Sequence, residues 1–296
     1  MRALPFALRN QQIVSIDEVP RGLSCGCSCL ACGAPMVAKK GNKHAHHFAH
    51  YRGADCGHGL ETGLHLRIKA LFRERRSIVV PALYLHRQSV AYFQPYLFKY
   101  DRVEEEPYVG QLYPDLILRK GQRALLLEIA VTHQTPPRKQ QKLRKLGMPA
   151  LEIDALSLYE AVLQGSGSPD IRAFEYELQQ GTGYKKWLFN PAQQRAEFRL
   201  RKMAIARPVK HRLYKGYHQY VTTDCPLGKR RWRSGYREGQ AFANVTQDCM
   251  HCPRCAFLEY ETEYVGYQEV PLLPARVHCW GHLTNRPKPK PWQTPV

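Results

Sequence analysis

YPDLILRKGQRALLLEIAVTH, which spans Tyr113 to His133, contains the two apolar runs that best define a sheet in this chain. The runs lie on either side of Gly121, and their composition predicts two strands joined by a turn. Each run carries one acid, Asp115 in the first and Glu128 in the second. A carboxylate inside an apolar strand costs free energy unless it has a partner, so these two positions need a chemical explanation.

Asp115 and Glu128 come together if the two strands pair as a hairpin around Lys120-Gly121-Gln122. Two carboxylates at one end of a sheet are oxygen ligands of the kind that a hard divalent cation prefers. We therefore expect them, with the carbonyl group of Ile129, to bind Mg²⁺ or Mn²⁺ as a hydrolytic cofactor. The alternative is a surface turn that Asp115 caps, with Glu128 on a solvated edge.

The spacing of these acids is similar to that of the PD-(D/E)xK nuclease motif. Pro114 and Asp115 are followed, thirteen residues after the aspartate, by Glu128-Ile129-Ala130. The chain departs from the motif at Ala130, where the motif has a lysine that helps to stabilise charge in the transition state. The motif therefore predicts a nuclease site that must take its lysine from elsewhere.

The length, charge and cysteine content restrict the class of protein. The chain has 296 residues, enough for one or two domains, and a formal net charge of +19 that favours binding to a polyanion. It has no run of eighteen apolar residues, and its N-terminus is too polar for a signal peptide. We expect a cytoplasmic protein that makes no membrane contact, and its ten cysteines point to metal or cluster ligation more than to disulfides.

Cysteine and histidine are concentrated between residues 25 and 56. Cys29 and Cys32 form a CxxC pair followed by glycine, which is the pattern of a zinc knuckle, and HAHHFAH follows at residues 44–50. A tetrahedral zinc ribbon needs two further ligands, and the sequence does not choose between three candidates: His47, His50 and Cys56. The alternative is an ordinary loop with free thiols.

The other cysteines and histidines of this segment have simpler roles. We expect Cys25 and Cys27 to be packing or redox-inert thiols. We expect His44 and His46 to be solvated or to face phosphate.

The remaining elements of the first half predict an α/β fold. Residues 60–72 have the spacing of an amphipathic helix, with Glu61, His65 and Lys69 together on another face. Strands are predicted at Ile78–Leu85, Tyr92–Tyr100 and Leu151–Asp154, and helices at Arg138–Leu146 and Leu156–Leu163. This order indicates a mixed sheet flanked by helices.

Six blocks of sequence resemble the competence protein CoiA-like family. In order they are CGCSCLACGAPMVAKKG, HHFAH with Cys56, ETGLHLRIKALF, YPDLIL, LLLEIAVTH and LGMPALEID, within roughly residues 1–160. The resemblance implies a zinc-ribbon-like N-terminus fused to a restriction-endonuclease-like PD-(D/E)xK core. It also implies a role in processing DNA during recombination, although it does not extend to the second half of the chain.

The resemblance also assigns roles to individual residues. It implies a catalytic set of Glu61, Asp115 and Glu128, with His133 in the VTH block. Family members with this block tend to carry a lysine on the following helix, and Lys139 matches that position. His65 is a candidate polar neighbour, and Lys142 is the second choice for the lysine. The alternative is that Glu61 only stabilises the helix N-terminus and that Lys139 is solvated or faces phosphate.

The second half begins after a linker at Gly165–Asp170 and is strongly basic. Pro191–Lys202 is predicted to be a helix, and residues 195–237 hold thirteen Lys or Arg against two acids, a net charge of +11. Aromatic residues are interleaved with this charge: Tyr214, Tyr217, Tyr220, Trp232 and Tyr236. The pattern is typical of a nucleic-acid surface, and the alternative is a solvated basic face over an aromatic core.

A second group of cysteines lies in this half: Cys225, Cys249, Cys252 and Cys255. Four thiols favour structural zinc, whereas the CxxCxxC triplet with one distant cysteine is also compatible with an iron–sulfur cluster. We favour zinc because the flanking segments resemble a small β-ribbon. Three further candidates are each expected not to be ligands: His251, Cys279 and His282.

The sequence thus predicts four regions: a zinc-ribbon-like module at 1–59, a nuclease-like core at 60–165, a basic cysteine-rich module at 166–284 and a disordered tail at 285–296. The predicted function is metal-dependent hydrolysis of DNA, with single-stranded or branched DNA favoured, in recombination, competence or foreign-DNA processing. The main alternative is a non-catalytic nucleic-acid-binding protein with a decayed nuclease fold. A third is an adaptor that binds a protein partner through its cysteine-rich modules.

Overall fold

Five strands form the main sheet of the first half of the chain. The computed structural model describes residues 3–53, 56–85, 91–163, 169–265 and 268–283. The chain divides into two compact units. The first unit contains Met1–Ala82 and Gln94–Pro191, and the second contains Leu83–Phe93 and Ala192–Pro295. The predicted tail at 285–296 and most of the predicted linker, residues 165–168, lie outside the described residues.

The first unit begins with two small hairpins. They are formed by β1 (Phe6–Arg9) with β2 (Gln12–Ser15), and by β3 (Met36–Lys39) with β4 (His47–His50). Ile16, Met36 and Phe48 are buried between them together with Cys25 and Cys27. This small core holds the cysteine-rich loop against the second hairpin.

The rest of the first unit alternates helices and strands. In chain order the elements are α1 (Gly59–Arg75), β5 (Ser77–Val80), β6 (Tyr96–Lys99), β7 (Arg102–Glu105), β8 (Leu116–Lys120), β9 (Arg123–Ala130), α2 (Pro137–Leu146), β10 (Ala150–Asp154), α3 (Ala155–Leu163), α4 (Ile171–Gln179) and β11 (Lys185–Phe189). The main sheet has the order β11-β10-β9-β8-β7, and β5 pairs with β6 separately. Only β9 and β10 run parallel in the main sheet, and α2 connects them.

The alternation of side chains along β8 and β9 separates two buried clusters. Leu125 and Leu127 belong to the cluster that includes Leu64 of α1, whereas Leu126 belongs to the cluster that includes Leu143 of α2. Because side chains two residues apart in a strand point to the same face, Glu128 lies on the face of Leu126, toward α2. The fold thereby directs this acid to the helix that carries Lys139.

The predicted mixed α/β sheet is confirmed, as are the hairpin of β8 and β9 and the helices at α1, α2 and α3. The predicted division at residue 165 differs from the structure. Strand β11 pairs with β10, and Phe174 and Leu178 of α4 are buried in the main core, so residues 171–191 belong to the first unit. The amphipathic pattern of α4 needs that core, because the helix would otherwise expose its apolar side chains.

The second unit is built on one antiparallel sheet. Its elements are α5 (Pro191–Met203), β12 (Ile205–Tyr214), β13 (Tyr217–Thr223), β14 (Arg230–Arg231), β15 (Ala241–Asn244), β16 (Cys255–Val265) and β17 (Gln268–Cys279). The strand order is β14-β15-β13-β12-β17-β16. None of the helices in the described part of the chain is long and apolar enough to cross a membrane.

Candidate functional site

The N-terminal hairpins hold a group of three cysteines and one histidine. The potential ligand atoms of Cys29, Cys32, His50 and Cys56, here called the ribbon quartet, all lie within 4.8 Å of one another. The Sγ atoms of Cys29 and Cys56 are 3.8 Å apart, and Sγ of Cys32 is 3.3 Å from Nε2 of His50. A group of this composition could bind a structural metal such as zinc.

Hydrogen bonds prepare the knuckle for a thiolate. The backbone N–H of Ala31 donates to Sγ of Cys29 at 3.4 Å, and that of Gly33 donates to the Cys29 carbonyl at 2.9 Å. The backbone N–H of Ala34, and then His50, lower the pKa of the Cys32 thiol to about 7. Since the thiolate is the form that binds a metal, Cys32 needs little further stabilisation to become a ligand.

His47 lies outside the ribbon quartet. It is three residues from His50 on β4, so the two side chains point to opposite faces of the strand, and Nδ1 of His47 is 2.7 Å from the carbonyl oxygen of Ala45. The structure thus chooses His50 and Cys56 from the three candidates. Cys25 and Cys27 are buried in the core, and their thiols donate to backbone carbonyls, as a packing role requires.

Asp115 is fixed at the start of β8 by its neighbours on both sides. Its Oδ2 accepts a hydrogen bond of 2.7 Å from the backbone N–H of Ile129, and its carbonyl accepts one of 3.1 Å from Glu106. The β8–β9 register pairs Leu116 with Leu127, so one further step places Asp115 opposite Glu128. The hairpin therefore brings the two acids to the same end of the sheet.

Glu128 is buried and paired with Lys139. Nζ of Lys139 donates to Oε2 of Glu128 at 2.6 Å and to the carbonyl of Tyr113 at 3.0 Å. Lys142 instead donates to the carbonyl of Gln111 at 2.9 Å. The motif has a lysine where this chain has Ala130. Of the two lysines that could replace it, Lys139 is the one that contacts Glu128.

One oxygen of Glu128 has no partner. Oε2 is held by Lys139, but Oε1 is buried without a hydrogen bond, and the residue is only 5% exposed. Burial raises the pKa of Glu128 to about 7, and the charges of Asp115 and Glu152 add to this effect although Lys139 opposes it. A buried acceptor without a donor is costly, so this position is unfavourable for folding alone.

α1 brings Glu61 and His65 to the same region. Nδ1 of His65 is 3.8 Å from Oδ1 of Asp115, and burial holds the pKa of His65 below its usual value. Glu61 accepts a hydrogen bond of 3.0 Å from the hydroxyl of Thr132, just after β9. Within the described part of the chain, Glu61, Asp115 and Glu128 do not form a group whose ligand atoms all lie within 4.8 Å of one another.

Glu152 is an acid of this region that the sequence interpretation missed. It lies opposite Glu128 in the parallel pairing of β9 with β10 and is 1% exposed. Burial raises its pKa, but Lys186 at 2.7 Å and the backbone N–H of Thr135 at 2.6 Å outweigh burial and lower it overall. The signal in the sequence was an acid within the apolar run ALEI.

A cavity of about 470 Å³ opens beside Glu61 in the first unit. Its lining includes Glu61 and Thr132, together with three histidines of the ribbon region: His44, His47 and His50. Asp115 and Glu128 are not among its lining residues. His133 is exposed immediately beyond Thr132.

The second unit gathers the other predicted ligands. Five cysteines line one small cavity: Cys225, Cys249, Cys252, Cys255 and Cys279. Cys279, expected not to be a ligand, lies directly opposite Cys255 in the pairing of β16 with β17. The predicted basic surface lies on β12, β13 and the loops that follow, where Tyr217 is 74% exposed and Tyr236 is 87% exposed.

Comparison with protein-family models, with curated proteins and with solved structures gives no match for this chain. The resemblance to the CoiA-like family therefore stays a prediction.

Proposed function

We propose that this chain is a metal-dependent nuclease that hydrolyses phosphodiester bonds of DNA, with a restriction-endonuclease-like core of the PD-(D/E)xK type. The observation that carries the proposal is the buried Glu128, opposite Asp115 in the β8–β9 register, which is paired with Lys139 through one oxygen and leaves the other without a donor. The hairpin, the crossover through α2 and the parallel β10 also agree with such a core.

The residues present fit a divalent cation. Asp115 and Glu128 supply two hard oxygen ligands at one end of the sheet, and the unpartnered Oε1 of Glu128 is an acceptor that a cation would satisfy. The carbonyl of Ile129 is a third candidate ligand, since its residue is already tied to Asp115 through the backbone N–H. A bound Mg²⁺ or Mn²⁺ would polarise the phosphodiester and lower the pKa of an attacking water.

The protein side chains act by position and charge. The hydrogen bond from Ile129 fixes the orientation of the Asp115 carboxylate, and the carbonyl of Tyr113 fixes the ammonium group of Lys139. Lys139 can stabilise negative charge that develops on a phosphate near Glu128. Glu152 keeps its own partners, Lys186 and Thr135, and so acts as a fixed negative charge next to Glu128.

The basic surface of the second unit supports DNA as the partner. The guanidinium of Arg212 lies 4.6 Å from the ring centroid of Trp232, and that of Arg237 lies 5.0 Å from the ring centroid of Tyr236. Exposed tyrosine rings next to arginines can stack with bases while the cations neutralise phosphates. Single-stranded DNA, or the single-stranded arms of branched DNA, suits this chemistry best.

The test is a cleavage assay of the full chain on linear, circular, single-stranded and branched DNA with added Mg²⁺ or Mn²⁺. Asp115→Asn and Glu128→Gln should each lower the rate by more than about 100-fold, because each removes a ligand charge. Glu74→Gln, which changes an exposed acid of α1, is the matched control and should leave the rate unchanged. Cleavage that persists in both site variants would refute the proposal that Asp115 and Glu128 form the site of a nuclease.

The alternative is a nucleic-acid-binding protein without activity. The lysine missing at Ala130 and the exposed Tyr217 and Tyr236 favour it. Binding alone, however, gives no reason to bury Glu128 with one unpartnered oxygen. DNA binding by a protein that cleaves none of these substrates with either metal would decide for the alternative.

A further inference from the structure

The second unit contains a small cavity of about 20 Å³ that is lined by five cysteines. Cys255 and Cys279 approach it from the paired strands β16 and β17, and Cys225 approaches from the turn after β13. Cys249 and Cys252 lie in two successive tight turns, in which the N–H of Cys252 donates to the carbonyl of Cys249 and that of Cys255 donates to the carbonyl of Cys252. Half of the ten cysteines in the chain thus line one cavity.

Two polar side chains that line this cavity have buried atoms without a partner. Thr222 of β13 is 2% exposed, and its hydroxyl makes no hydrogen bond. Nε of Arg207 on β12 is likewise buried and unpartnered. Each is an N–H or O–H donor, and burying a donor that stays unpaired is unfavourable.

Packing alone does not account for this arrangement. An apolar cluster that served only to hold the sheet would be filled more effectively by leucine or isoleucine, and it would not enclose two unsatisfied donors. Neutral thiols are also weak acceptors, so they leave both donors without an effective hydrogen-bond partner. Metal-bound thiolates, by contrast, carry negative charge and accept hydrogen bonds from surrounding N–H and O–H groups.

We propose that this cavity binds one zinc ion through the thiolates of Cys225, Cys249, Cys252 and Cys279, with Arg207 and Thr222 as hydrogen-bond donors to the sulfur atoms.

The contacts of the sulfur atoms separate the four ligands from the fifth thiol. Sγ of Cys279 accepts a hydrogen bond of 3.2 Å from the N–H of Gly281, two residues on, as Sγ of Cys29 does from Ala31 in the ribbon quartet. Sγ of Cys255 instead donates to the carbonyl of Phe257 at 3.7 Å, a contact that a thiolate ligand would lose. Cys279 therefore replaces Cys255 in the set that the sequence predicted.

The size of the cavity favours a single ion over an iron–sulfur cluster. A volume of about 20 Å³ holds about one water-sized sphere. A cubane cluster would add eight iron and sulfide atoms between the cysteines and would have to push the strands apart. Among the described residues only the ribbon quartet has all its ligand atoms within 4.8 Å, so zinc binding would also draw these four sulfurs inward.

The test is the metal content of the full chain and of single variants, measured by mass spectrometry after purification without chelators. The wild-type chain should contain two zinc ions and no iron. Cys279→Ser should contain one zinc ion, Cys255→Ser should keep two, and Cys32→Ser should lose only the ion of the ribbon quartet. Cys255→Ser is the matched control, because it changes a buried cysteine of the same cavity.

Cobalt substitution of the wild-type chain provides a second measurement that needs no variant. Two Co²⁺ per chain should bind, and their sulfur-to-cobalt charge-transfer absorption should correspond to seven thiolates, three from the ribbon quartet and four from the cavity. One zinc per chain, absorption from only three thiolates, iron with sulfide, or two zinc ions in a folded Cys279→Ser variant would each overturn the proposal. None of these readings depends on nuclease activity.

Discussion

Replacing Glu128 with glutamine should stabilise the protein at alkaline pH when no divalent cation is added. Burial raises the pKa of this carboxyl group from 4.5 to about 7. Because the pKa is higher in the folded state than in the unfolded state, the contribution of Glu128 to stability is complete below pH 4.5 and is lost as the pH rises through 7. Glutamine, which has no charge, avoids that loss.

The magnitude follows from the size of the shift. One pKa unit corresponds to about 1.4 kcal/mol, so a shift from 4.5 to about 7 gives about 3 kcal/mol at pH 8. Glutamine also removes the charge that pairs with Lys139, but this lysine is part-exposed and still donates to the carbonyl of Tyr113. Because solvent screens this ion pair, its removal costs little stability. We therefore expect Glu128→Gln to raise the free energy of unfolding by a net amount of about 2 to 3 kcal/mol.

The assay is urea unfolding of the wild-type protein and of Glu128→Gln at pH 5 and pH 8. The buffer contains neither Mg²⁺ nor chelator, because a chelator would also compete for zinc. The free energies of unfolding should lie closer together at pH 5 and diverge at pH 8. Added Mg²⁺ should then stabilise the wild-type protein and leave the variant unchanged, because only the former keeps both ligands.

Glu104→Gln on β7 is the matched control, with the opposite sign. The hydrogen bond from Arg119 lowers the pKa of Glu104, so losing this carboxylate should destabilise the protein at pH 8. If Glu128→Gln were no more stable than the wild-type protein at pH 8, the carboxylate would not be strained by its surroundings. Its burial would then give no reason to expect a bound cation.

Three further predictions follow from the same contacts. Lys139→Met should lower the DNA cleavage rate by about 100-fold or more, whereas Lys142→Met, which loses only a bond to the Gln111 carbonyl, should stay within about tenfold of the wild-type rate. Burial lowers the pKa of Lys185 from 10.5 to about 7, so between these pH values the free energy of unfolding of the wild-type protein should rise by up to about 1.4 kcal/mol per pH unit. Lys185→Met should flatten this rise when unfolding is followed in urea. An unchanged slope in the variant would contradict the prediction. Tyr236→Ala should weaken binding of single-stranded DNA by about 5- to 150-fold in fluorescence titrations, and Tyr176→Ala, which changes another exposed tyrosine, on α4, should not.

The hairpin and its lysine could be predicted because their signals are local. Two apolar runs around Gly121 fix the β8–β9 register, and Gly121 adopts a φ of +55°, which favours glycine. The alternation along β9 then directs Glu128 toward the next helix in the chain. Lys139 lies near the start of that helix, so a short connection brings the two together.

Residues that depend on pairing between distant segments could not be predicted in the same way. Cys279 lies beside Cys255 only because the long strands β16 and β17 pair in one register, with irregularities along their length. Glu152 lies beside Glu128 only because β10 returns parallel to β9. The sequence could show that His47 and His50 do not share a face, since residues three apart in a strand point to opposite faces, but it could not show which of them joins the cysteines.

The buried atoms without a hydrogen-bond partner differ between the carboxylate site and the cysteine cavity, because they are an acceptor in the first and donors in the second. At the carboxylate site the unsatisfied atom is Oε1 of Glu128, an acceptor, which a cation would satisfy directly. At the cysteine cavity the unsatisfied groups are Nε of Arg207 and the hydroxyl of Thr222, which can both donate to metal-bound thiolates. An unpartnered acceptor is satisfied by a cation, and unpartnered donors are satisfied by a negatively charged metal–thiolate complex. The carboxylates of the first site and the thiols of the second are the side chains that bind such metals.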